Sequence, residues 1–295
     1  MKILIPGSSG LLGSECKLVL SKDHEIIAPT KNEMDIISWD GVVETFQKTN
    51  PDIVINCAAF TDIEACETEP FLVQKINIEG PRNLAQCSAR YQSRFIHISS
   101  DFVFDGQKLI PQPYFEDDPP NPLSAYAVSK MESEKAVRHN VPFYSIVRTG
   151  WLYGINGRCF VKSIVKRAIE RSGDIYVADD QFGSPTWARR LAYQIKDLIN
   201  PDARGIYHTT AEGYCSRFEY AEYIIKKLSL TAVIRPISMK SLNKKAVRPL
   251  NCLLENRVLK NQGICIMRNW KDDLDTFLEK YGDTIIKGIE AAIEV

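Results

Sequence analysis

The chain has 295 residues, of which 44% are hydrophobic, and its 37 basic residues balance its 37 acidic residues. This length suits one large α/β domain with an elaborated C-terminal part. With no net charge and no Lys/Arg-rich run, the sequence offers no electrostatic basis for binding nucleic acid or a membrane surface. We therefore expect a small-molecule partner.

The N-terminal residues predict a cytoplasmic protein. Residues 1–5 enter an apolar strand without the long apolar core and cleavage site of a secretory signal. No segment is apolar enough to span a bilayer. Eight cysteines without regular spacing favour reduced thiols over a disulfide framework or a zinc site, so no metal site is predicted from the side chains.

Short apolar runs alternate with helical patterns along the first half of the chain, which is typical of a parallel sheet covered on both faces. The predicted strands are residues 2–6, 25–28, 52–56, 94–98 and 142–147, and the predicted helices are residues 11–20, 38–49, 71–90 and 124–140. Apolar stripes predict further helices at 160–170 and 186–199. The long loop 101–122 is expected to lie near a substrate pocket.

This order of elements predicts an α/β protein with a doubly wound parallel sheet, the Rossmann fold. Residues 1–150 are expected to form an NAD(P)-binding domain. Residues 151–295 are expected to form mainly a small C-terminal substrate-binding lobe, with segments around 186–208 returning to the Rossmann domain.

A glycine-rich turn lies between the first predicted strand and the first predicted helix. Gly7 allows a tight turn, Gly10 lets the backbone approach a phosphate, and Gly13 lets the helix pack close to the strand. Free N–H groups and the positive end of a helix dipole attract an anion. The turn therefore predicts a dinucleotide pyrophosphate site, although an ordinary strand-to-helix turn also uses glycine.

The end of the second predicted strand indicates which nicotinamide cofactor is used. An acidic residue there would favour an unphosphorylated ribose, but the sequence continues as Pro29, Thr30 and Lys31. A hydroxyl and a cation suit a 2′-phosphate, so we expect NADPH. NADH is the alternative, in which Lys31 is an ordinary exposed lysine.

Tyr126 and Lys130 are four residues apart in a predicted helix and share one face. A phenol has a pKa of about 10, and an adjacent ammonium is a source of the stabilisation that acid–base work near neutrality needs. Ser100 follows the strand 94–98 at the carboxyl edge of the sheet, where its hydroxyl can donate to a substrate carbonyl. The three residues predict carbonyl reduction with Tyr126 as the general acid.

The same Tyr-x-x-x-Lys spacing recurs at Tyr223 and Lys227. Because this copy is not connected to a sheet strand, we expect a structural helix with Tyr223 packed and Lys227 solvated. The four histidines are scattered, and His97, inside a strand, is expected to be a core or hydrogen-bonded residue. A zinc or serine-hydrolase mechanism is not predicted.

Longer segments resemble the extended short-chain dehydrogenase/reductase family and, within it, the dTDP-4-dehydrorhamnose reductases. They lie between residue 1 and about residue 260 and comprise 56–61, 66–67, 77–80, 99–106, 148–153, 180–186 and 248–251. The resemblance implies reduction of the C4 ketone of dTDP-6-deoxy-L-lyxo-4-hexulose to dTDP-L-rhamnose.

The resemblance also implies roles for single residues. Tyr126 is the implied acid, Lys130 orients the cofactor ribose and lowers the tyrosine pKa, and Ser100 replaces a usual threonine. The other implied contacts are Gly10, Leu11 and Leu12 with the pyrophosphate, Asp35 and Ile36 with the adenine region, Ala59, Phe60 and Thr61 with the edge of the cofactor site, Asp101 and Trp151 with the substrate, and Asn77 with Lys130 through water. A core aromatic is the alternative for Trp151, and a packing role for Asn77.

Pro6 and Phe102 depart from the family pattern, which usually has a threonine and a tyrosine there. Two other functions stay open: a non-catalytic regulatory subunit, because the beta subunit of methionine adenosyltransferase resembles this family, and another nucleotide-sugar reductase or an epimerase. The resemblance raises a divalent cation such as Mg²⁺ as a further cofactor. A monomer or a homodimer is expected.

Overall fold

The computed structural model describes residues 1–170, 173–199 and 203–293. The α-helices are α1 (Leu11–Leu20), α2 (Trp39–Thr49), α3 (Ile63–Cys66), α4 (Pro70–Val73), α5 (Gly80–Arg90), α6 (Ala125–Asn140), α7 (Phe160–Ile169), α8 (Ala188–Ile199), α9 (Arg217–Lys227), α10 (Arg257–Asn261) and α11 (Trp270–Ile293). The strands are β1 (Lys2–Leu4), β2 (Glu25–Ile27), β3 (Ile53–Asn56), β4 (Arg94–Ser100), β5 (Tyr144–Thr149), β6 (Leu152–Tyr153), β7 (Ile175–Ala178), β8 (Phe182–Gly183), β9 (Thr186–Trp187), β10 (Gly205–His208), β11 (Cys215–Ser216) and β12 (Ile234–Ile237).

Parallel strands form the central sheet in the order β2, β1, β3, β4, β5 and β10. Val54 of β3 pairs with Leu4 on one side and with Phe95 on the other. The chain passes from β1 to β2 on one side and then crosses to β3 on the other. Ligands of doubly wound sheets bind beyond the carboxyl ends of the strands at such a reversal. The predicted doubly wound parallel sheet is confirmed.

Alternate residues of the strands pack against different helical layers, because successive side chains of a strand point to opposite faces. Ile3 and Ile5 lie in an apolar core with α1 and α8. Leu4, between them, lies in a second core with α2, α5 and α6. All three side chains are fully buried, so the turn that follows β1 starts from a rigid strand.

A third apolar core lies in the C-terminal part, where α7, α9 and α11 pack around buried Tyr220 and Phe277. The parallel pair of β7 and β12 lies beside it. Two later elements join the sheet instead, since α8 packs against α1 and β10 pairs with β5. Gly150 and Trp151 follow the carboxyl end of β5, so the C-terminal lobe begins at the edge of the sheet where ligands bind.

Two predicted helices differ from the structure. The predicted helix 71–90 is divided by a π-helical segment, Gln74–Glu79, which joins α4 to α5. Pro81 at the start of α5 has no N–H to donate, so regular helical bonding is interrupted there. The predicted helix 186–199 begins only at Ala188, because Thr186 and Trp187 pair as β9 with β6. Threonine and tryptophan both favour extended backbone.

The loop 101–122 was expected near a ligand pocket, but most of it packs elsewhere. Buried Tyr114 stacks on Phe104 and forms an isolated bridge with Leu254. The Asn251 Nδ2 donates to the backbone oxygens of Lys108 and Gln112 at 3.0 Å and 2.8 Å. Within this fully described loop, the first residues alone reach the site described below.

None of the described helices is both long and apolar enough to cross a membrane. Among the described residues, no group of three or more His, Cys, Asp or Glu side chains is arranged to hold a metal ion. The eight cysteines, all in the described part of the chain, carry free thiols.

Candidate active site

The glycine turn after β1 has no room for side chains at two of its positions. Gly7 has a φ of +77°, and a Cβ there would lie 2.6 Å from the Ala58 backbone nitrogen. A Cβ at Gly13 would collide with the Gly7 carbonyl oxygen. The Gly10 N–H donates to this oxygen at 3.0 Å, which closes the turn. The backbone is thus exposed to a ligand because no side chain covers it.

Helix α1 begins at this turn without a side-chain cap. Its N-cap is Gly10, which offers no side-chain acceptor, and the first turn contains no acidic residue. The first N–H groups of a helix have no partner within the helix. In α1 these groups include the N–H groups of Leu11 and Leu12 at the N-terminal end. Unpaired donors and the positive end of the dipole suit a pyrophosphate, so these residues fit a dinucleotide.

A cavity of about 310 Å³, the glycine-loop cavity, extends from this turn toward the ends of β2 and β3. It is lined by Gly7, Gly10, Lys31, Asp35, Ile36 and Ala59, together with neighbouring residues. The Thr30 N–H and hydroxyl both donate to the Glu33 carboxylate, at 2.7 Å and 2.9 Å. The Thr30 hydroxyl, which was expected to contact a 2′-phosphate, is therefore already bonded to Glu33. Lys31 supplies the positive charge in this part of the glycine-loop cavity.

A second cavity of about 420 Å³, the tyrosine cavity, adjoins the first, and Gly10, Cys57, Ala58 and Ala59 line both. It brings together Ser100, Asp101, Tyr126, Lys130 and Trp151 with Leu11, Leu12 and Thr61. Gly13 and Phe60 line neither cavity. The candidate catalytic residues and most of the candidate cofactor residues thus share one connected space.

Ser100 ends β4 and places its hydroxyl at the carboxyl edge of the sheet. This hydroxyl donates to Asp101 Oδ1 at 2.9 Å and accepts the Phe102 N–H at 3.2 Å. Asp101 is 4% exposed, and its Oδ2 has no hydrogen-bond partner among the described residues. Burial raises the pKa of Asp101 to about 7, while Ser100 and the Arg217 guanidinium oppose this rise.

Tyr126 and Lys130 lie on the first turns of α6, which Ser124 caps by accepting the Ala127 N–H. The Lys130 Nζ donates to the Ile98 carbonyl at 2.7 Å. Burial lowers the pKa of Lys130 to about 8, because the charged form loses hydration. Burial raises the pKa of Tyr126 well above its usual value, and a hydrogen bond with Ser100 opposes this rise. The expected lowering of the tyrosine pKa by Lys130 is not found in this structure.

Asn77 makes direct contacts where a water-mediated contact with Lys130 was expected. The Phe60 N–H donates to Asn77 Oδ1 at 2.7 Å, and Asn77 Nδ2 donates to the Phe60 carbonyl at 3.0 Å and to Ser129 Oγ at 2.9 Å. Asn77 is 1% exposed and lies in the π-helical segment. It fixes the backbone between Ala59 and Thr61 to α6.

Trp151 has a φ of +51°, a backbone conformation that a bulky residue rarely adopts. Its ring packs against Gly183, where a Cβ would collide with it, and the Arg217 guanidinium lies 3.5 Å from its ring centroid. The ring also stacks on Tyr220 of the lobe core. Trp151 therefore lines the tyrosine cavity and also belongs to the core of the C-terminal lobe. Arg217 covers part of the Trp151 ring surface that was expected to contact a sugar.

Sequence reasoning missed several cavity residues, among them two arginines and a cysteine. Arg217 and Arg158 both line the tyrosine cavity, the latter with a 93% exposed side chain 3.7 Å from Asp62. Cys57 lines both cavities, although the sequence indicated no role for it beyond that of a reduced thiol. Arg217 follows Ser216, which forms a capping box with Glu219. That box indicates a helix start, but nothing in the sequence places it beside Trp151.

His97 is a buried, hydrogen-bonded residue, as predicted. Its Nε2 lies 2.8 Å from Ser133 Oγ, and its Nδ1 lies 3.3 Å from Asn56 Nδ2. Burial lowers the pKa of His97, and the nearby Lys130 ammonium lowers it further. The ring therefore stays neutral and connects β4 to α6 and β3 behind the cavity.

Hydride exchange with a carbonyl requires a dinucleotide site and a proton donor in one connected space. The adjoining cavities at the reversal of this doubly wound sheet meet that requirement, which is typical of NAD(P)-dependent oxidoreductases with a Rossmann fold. A family model narrows this class, since the RmlD substrate binding domain matches residues 1–282. The chain belongs to this family.

Relatives cover nearly the whole chain. The spore coat polysaccharide biosynthesis protein SpsK of Bacillus subtilis is 36% identical over 280 residues, which are 95% of this chain and 97% of SpsK. A dTDP-4-dehydrorhamnose reductase from Clostridium acetobutylicum superposes with a TM-score of 0.92 at 35% identity and covers 96% of this chain and 100% of its own. The enzyme from Bacillus anthracis, in complex with NADP, gives a TM-score of 0.91 at 33% identity and covers 95% and 99%.

Proposed function

We propose that this protein catalyses the NADPH-dependent reduction of the C4 ketone of dTDP-6-deoxy-L-lyxo-4-hexulose, or dTDP-4-dehydrorhamnose, to dTDP-L-rhamnose. The observation that carries the proposal is that Ser100, Tyr126 and Lys130 line one cavity that opens onto the glycine loop. Relatives of the same length with the same fold are dTDP-4-dehydrorhamnose reductases, which supports this choice of substrate.

Tyr126 is the proposed proton donor. Bound NADPH supplies the hydride to C4, and the oxygen of the former carbonyl then needs a proton. The raised pKa of Tyr126 keeps the phenol protonated at neutral pH, so the proton is present when the C4 oxygen becomes basic. Ser100 is the second proposed contact of this oxygen and stabilises its developing charge by a hydrogen bond.

Lys130 is the proposed anchor of the cofactor ribose. An ammonium has three donors, and one of them is used on the Ile98 carbonyl. Lys130 also lines the tyrosine cavity, so its remaining donors can bind a ligand there. With a pKa of about 8, Lys130 is mostly charged at neutral pH, so it can hold the cofactor ribose as an ammonium donor.

The lobe supplies the proposed substrate contacts. Arg217 presents its guanidinium beside Trp151, and its side chain makes one long hydrogen bond with the described residues, from Nε to Gln181 Oε1 at 3.4 Å. A guanidinium has five N–H donors, so most of them are free for the hydroxyl groups of a sugar. Arg158 at the cavity mouth is the proposed cation for the substrate diphosphate.

Lys31 is the proposed reader of the cofactor 2′-phosphate. We expect Lys31→Asp to shift the ratio of kcat/KM for NADPH over NADH by about 10-fold or more toward NADH, because one charge-assisted bond is replaced by repulsion. Steady-state kinetics with each cofactor measure this ratio. A ratio equal to that of the unchanged protein would assign the 2′-phosphate to another residue.

The proposed reaction is tested with purified protein, NADPH and the 4-keto sugar nucleotide. We expect the near-ultraviolet absorbance of NADPH to fall in step with formation of dTDP-L-rhamnose, which chromatography and NMR identify. An epimerase would convert the sugar without net consumption of cofactor. A regulatory subunit would consume none and form no product, so either result would overturn the proposal.

A further inference from the structure

The hydroxyl of Ser100 has one hydrogen and two lone pairs. In the structure the hydrogen goes to Asp101 Oδ1 at 2.9 Å, and one lone pair accepts the Phe102 N–H at 3.2 Å. A substrate carbonyl is an acceptor and needs the same hydrogen. While Asp101 is ionised and holds it, Ser100 has no hydrogen left to donate to the substrate.

The Asp101 carboxyl is confined beside Ser100. Its Oδ2 is buried without a hydrogen-bond partner among the described residues. A Cβ at Gly150 would collide with this carboxyl, so the carboxyl packs directly on the backbone after β5. Oδ2 is therefore shielded from ligands, and Oδ1 contacts the Ser100 hydroxyl.

Charged and titratable groups face Asp101 from three elements: Arg217 from α9, Tyr126 from α6, and Cys252 from the segment before α10. Arg217 favours the ionised carboxyl, but the effect of burial is larger, and the pKa of Asp101 rises to about 7. A buried carboxylate with one oxygen left without a hydrogen bond is costly, so protonation relieves the site. Asp101 therefore exchanges its proton within the neutral range.

We propose that Asp101 in its protonated form donates to Ser100 Oγ and so frees the Ser100 hydrogen for the C4 oxygen of the substrate. Ser100 Oγ then accepts from Asp101 and Phe102 and donates to the substrate, which fills its three bonding positions. The Tyr126 hydroxyl, which hydrogen-bonds with Ser100 in the structure, then donates to the substrate oxygen instead. Asp101 keeps its proton through the reaction, since only the direction of one hydrogen bond changes. Asp101 is thus a positioning residue, and this inference rests on the proposed reductase function.

The pH dependence of Asp101→Asn tests the inference, because the asparagine amide can donate to Ser100 at every pH. We expect kcat/KM of the unchanged protein to fall about 10-fold from about pH 6 to about pH 8, with an inflection near 7. For Asp101→Asn we expect the same ratio to be less than about 2-fold. The range stops near pH 8 because about half of the Lys130 side chains have lost their proton there, which by itself would lower the rate by no more than about 2-fold.

Ser100→Ala provides the second test, because it removes the group through which Asp101 acts. We expect a lower kcat/KM with no inflection near pH 7 in this variant. Titration of NADPH binding by fluorescence at both ends of the pH range verifies that each variant is folded. An inflection near pH 7 that persists in Asp101→Asn or in Ser100→Ala would overturn the inference.

The failure of this inference differs from the failure of the proposed function. Turnover with the same pH profile in all three proteins overturns the role of Asp101 and leaves the reductase function intact. Absence of turnover at every pH overturns the reductase function and this inference with it. Isotope-edited infrared spectra that show the Asp101 carboxyl already ionised at about pH 6 would also overturn the inference.

Discussion

The pairs Tyr126–Lys130 and Tyr223–Lys227 have the same spacing on a helix but different surroundings. Burial lowers the pKa of Lys130 to about 8, whereas a hydrogen bond with Asp275 raises the pKa of Lys227. Asp275 accepts from Tyr223 at 2.8 Å and from Lys227 at 2.7 Å, so the second pair is held by a carboxylate. The helical spacing creates the pair in both places, and the environment decides whether it is available for chemistry.

The elements next to each pair explain this difference. Tyr126 and Lys130 face the carboxyl end of β4, where the strand ends at the tyrosine cavity. Tyr223 faces α11 and packs edge-on against Trp270. The prediction that Tyr223 packs is confirmed. Lys227 is partly solvated, since its side chain is 42% exposed, and it also forms an ion pair with Asp275.

The largest expected effect separates the two tyrosines. Tyr126→Phe removes the proton donor and leaves the cavity shape unchanged, so we expect kcat to fall by about 1,000- to 10,000-fold with NADPH binding nearly intact. In Tyr223→Phe we expect kcat within about 2-fold of the unchanged protein, because this hydroxyl binds Asp275 far from either cavity. Steady-state rates and fluorescence titration measure both. Near-normal turnover of Tyr126→Phe would show that Tyr126 is not the proton donor.

The two lysines give the next contrast. Lys130→Met removes a buried cation from the tyrosine cavity, and we expect kcat/KM to fall by about 100-fold together with weaker NADPH binding. Lys227→Met removes an exposed partner of Asp275, so we expect little change in either quantity. Equal losses in both variants would mean that the cavity position of Lys130 is irrelevant.

The opposite pKa shifts predict opposite effects of pH on stability. Lys130 binds its proton less tightly in the folded protein than in the unfolded chain. The charged lysine therefore lowers the free energy of unfolding at low pH, and this loss of stability disappears between about pH 8 and pH 10.5. The free energy of unfolding, relative to that of Lys130→Met, should rise by roughly 2 kcal/mol from about pH 8 to about pH 10.

Lys227 has the opposite sign, because its raised pKa stabilises the fold while the lysine is charged in the folded protein and that contribution is lost as the pH rises through its folded pKa. Relative to Lys227→Met, stability should therefore decline at high pH. Urea unfolding at several pH values measures both differences. The same slope for both variants would contradict the assigned shifts.

The smallest expected effect concerns stability at the second pair. Tyr223→Phe loses one hydrogen bond to a partly exposed carboxylate, and we expect the free energy of unfolding to fall by about 1 kcal/mol. Asp275→Asn should lower it by a similar amount, since Asp275 holds both residues. A double variant whose loss equals the sum of the single losses would show that the two side chains do not interact.

Local features were predictable from the sequence because short-range geometry produces them. The glycine turn needs only a strand, three glycines and a helix start, and α1 begins and ends where predicted. The positions of Tyr126 and Lys130 on one helix face follow from the helical repeat. The hydroxyl of Ser100 at the sheet edge follows from the end of a parallel strand.

Other features required the folded chain. The Arg217 guanidinium reaches Trp151 because β11 pairs with β8, a contact that no local pattern indicates. The π-helical segment places Asn77 against Phe60, although the surrounding sequence reads as one regular helix.

By itself, the sequence determined the strands and helices of the sheet, the glycine turn and the phenol–ammonium pair, because each depends on residues close together along the chain. The tertiary structure alone decided which of two identical pairs lies in a cavity, and which carboxyl is buried beside Ser100. Burial is a property of packing between distant segments, and it sets the pKa values of Asp101, Tyr126 and Lys130. The chemistry of the site therefore depends on contacts that the sequence does not reveal.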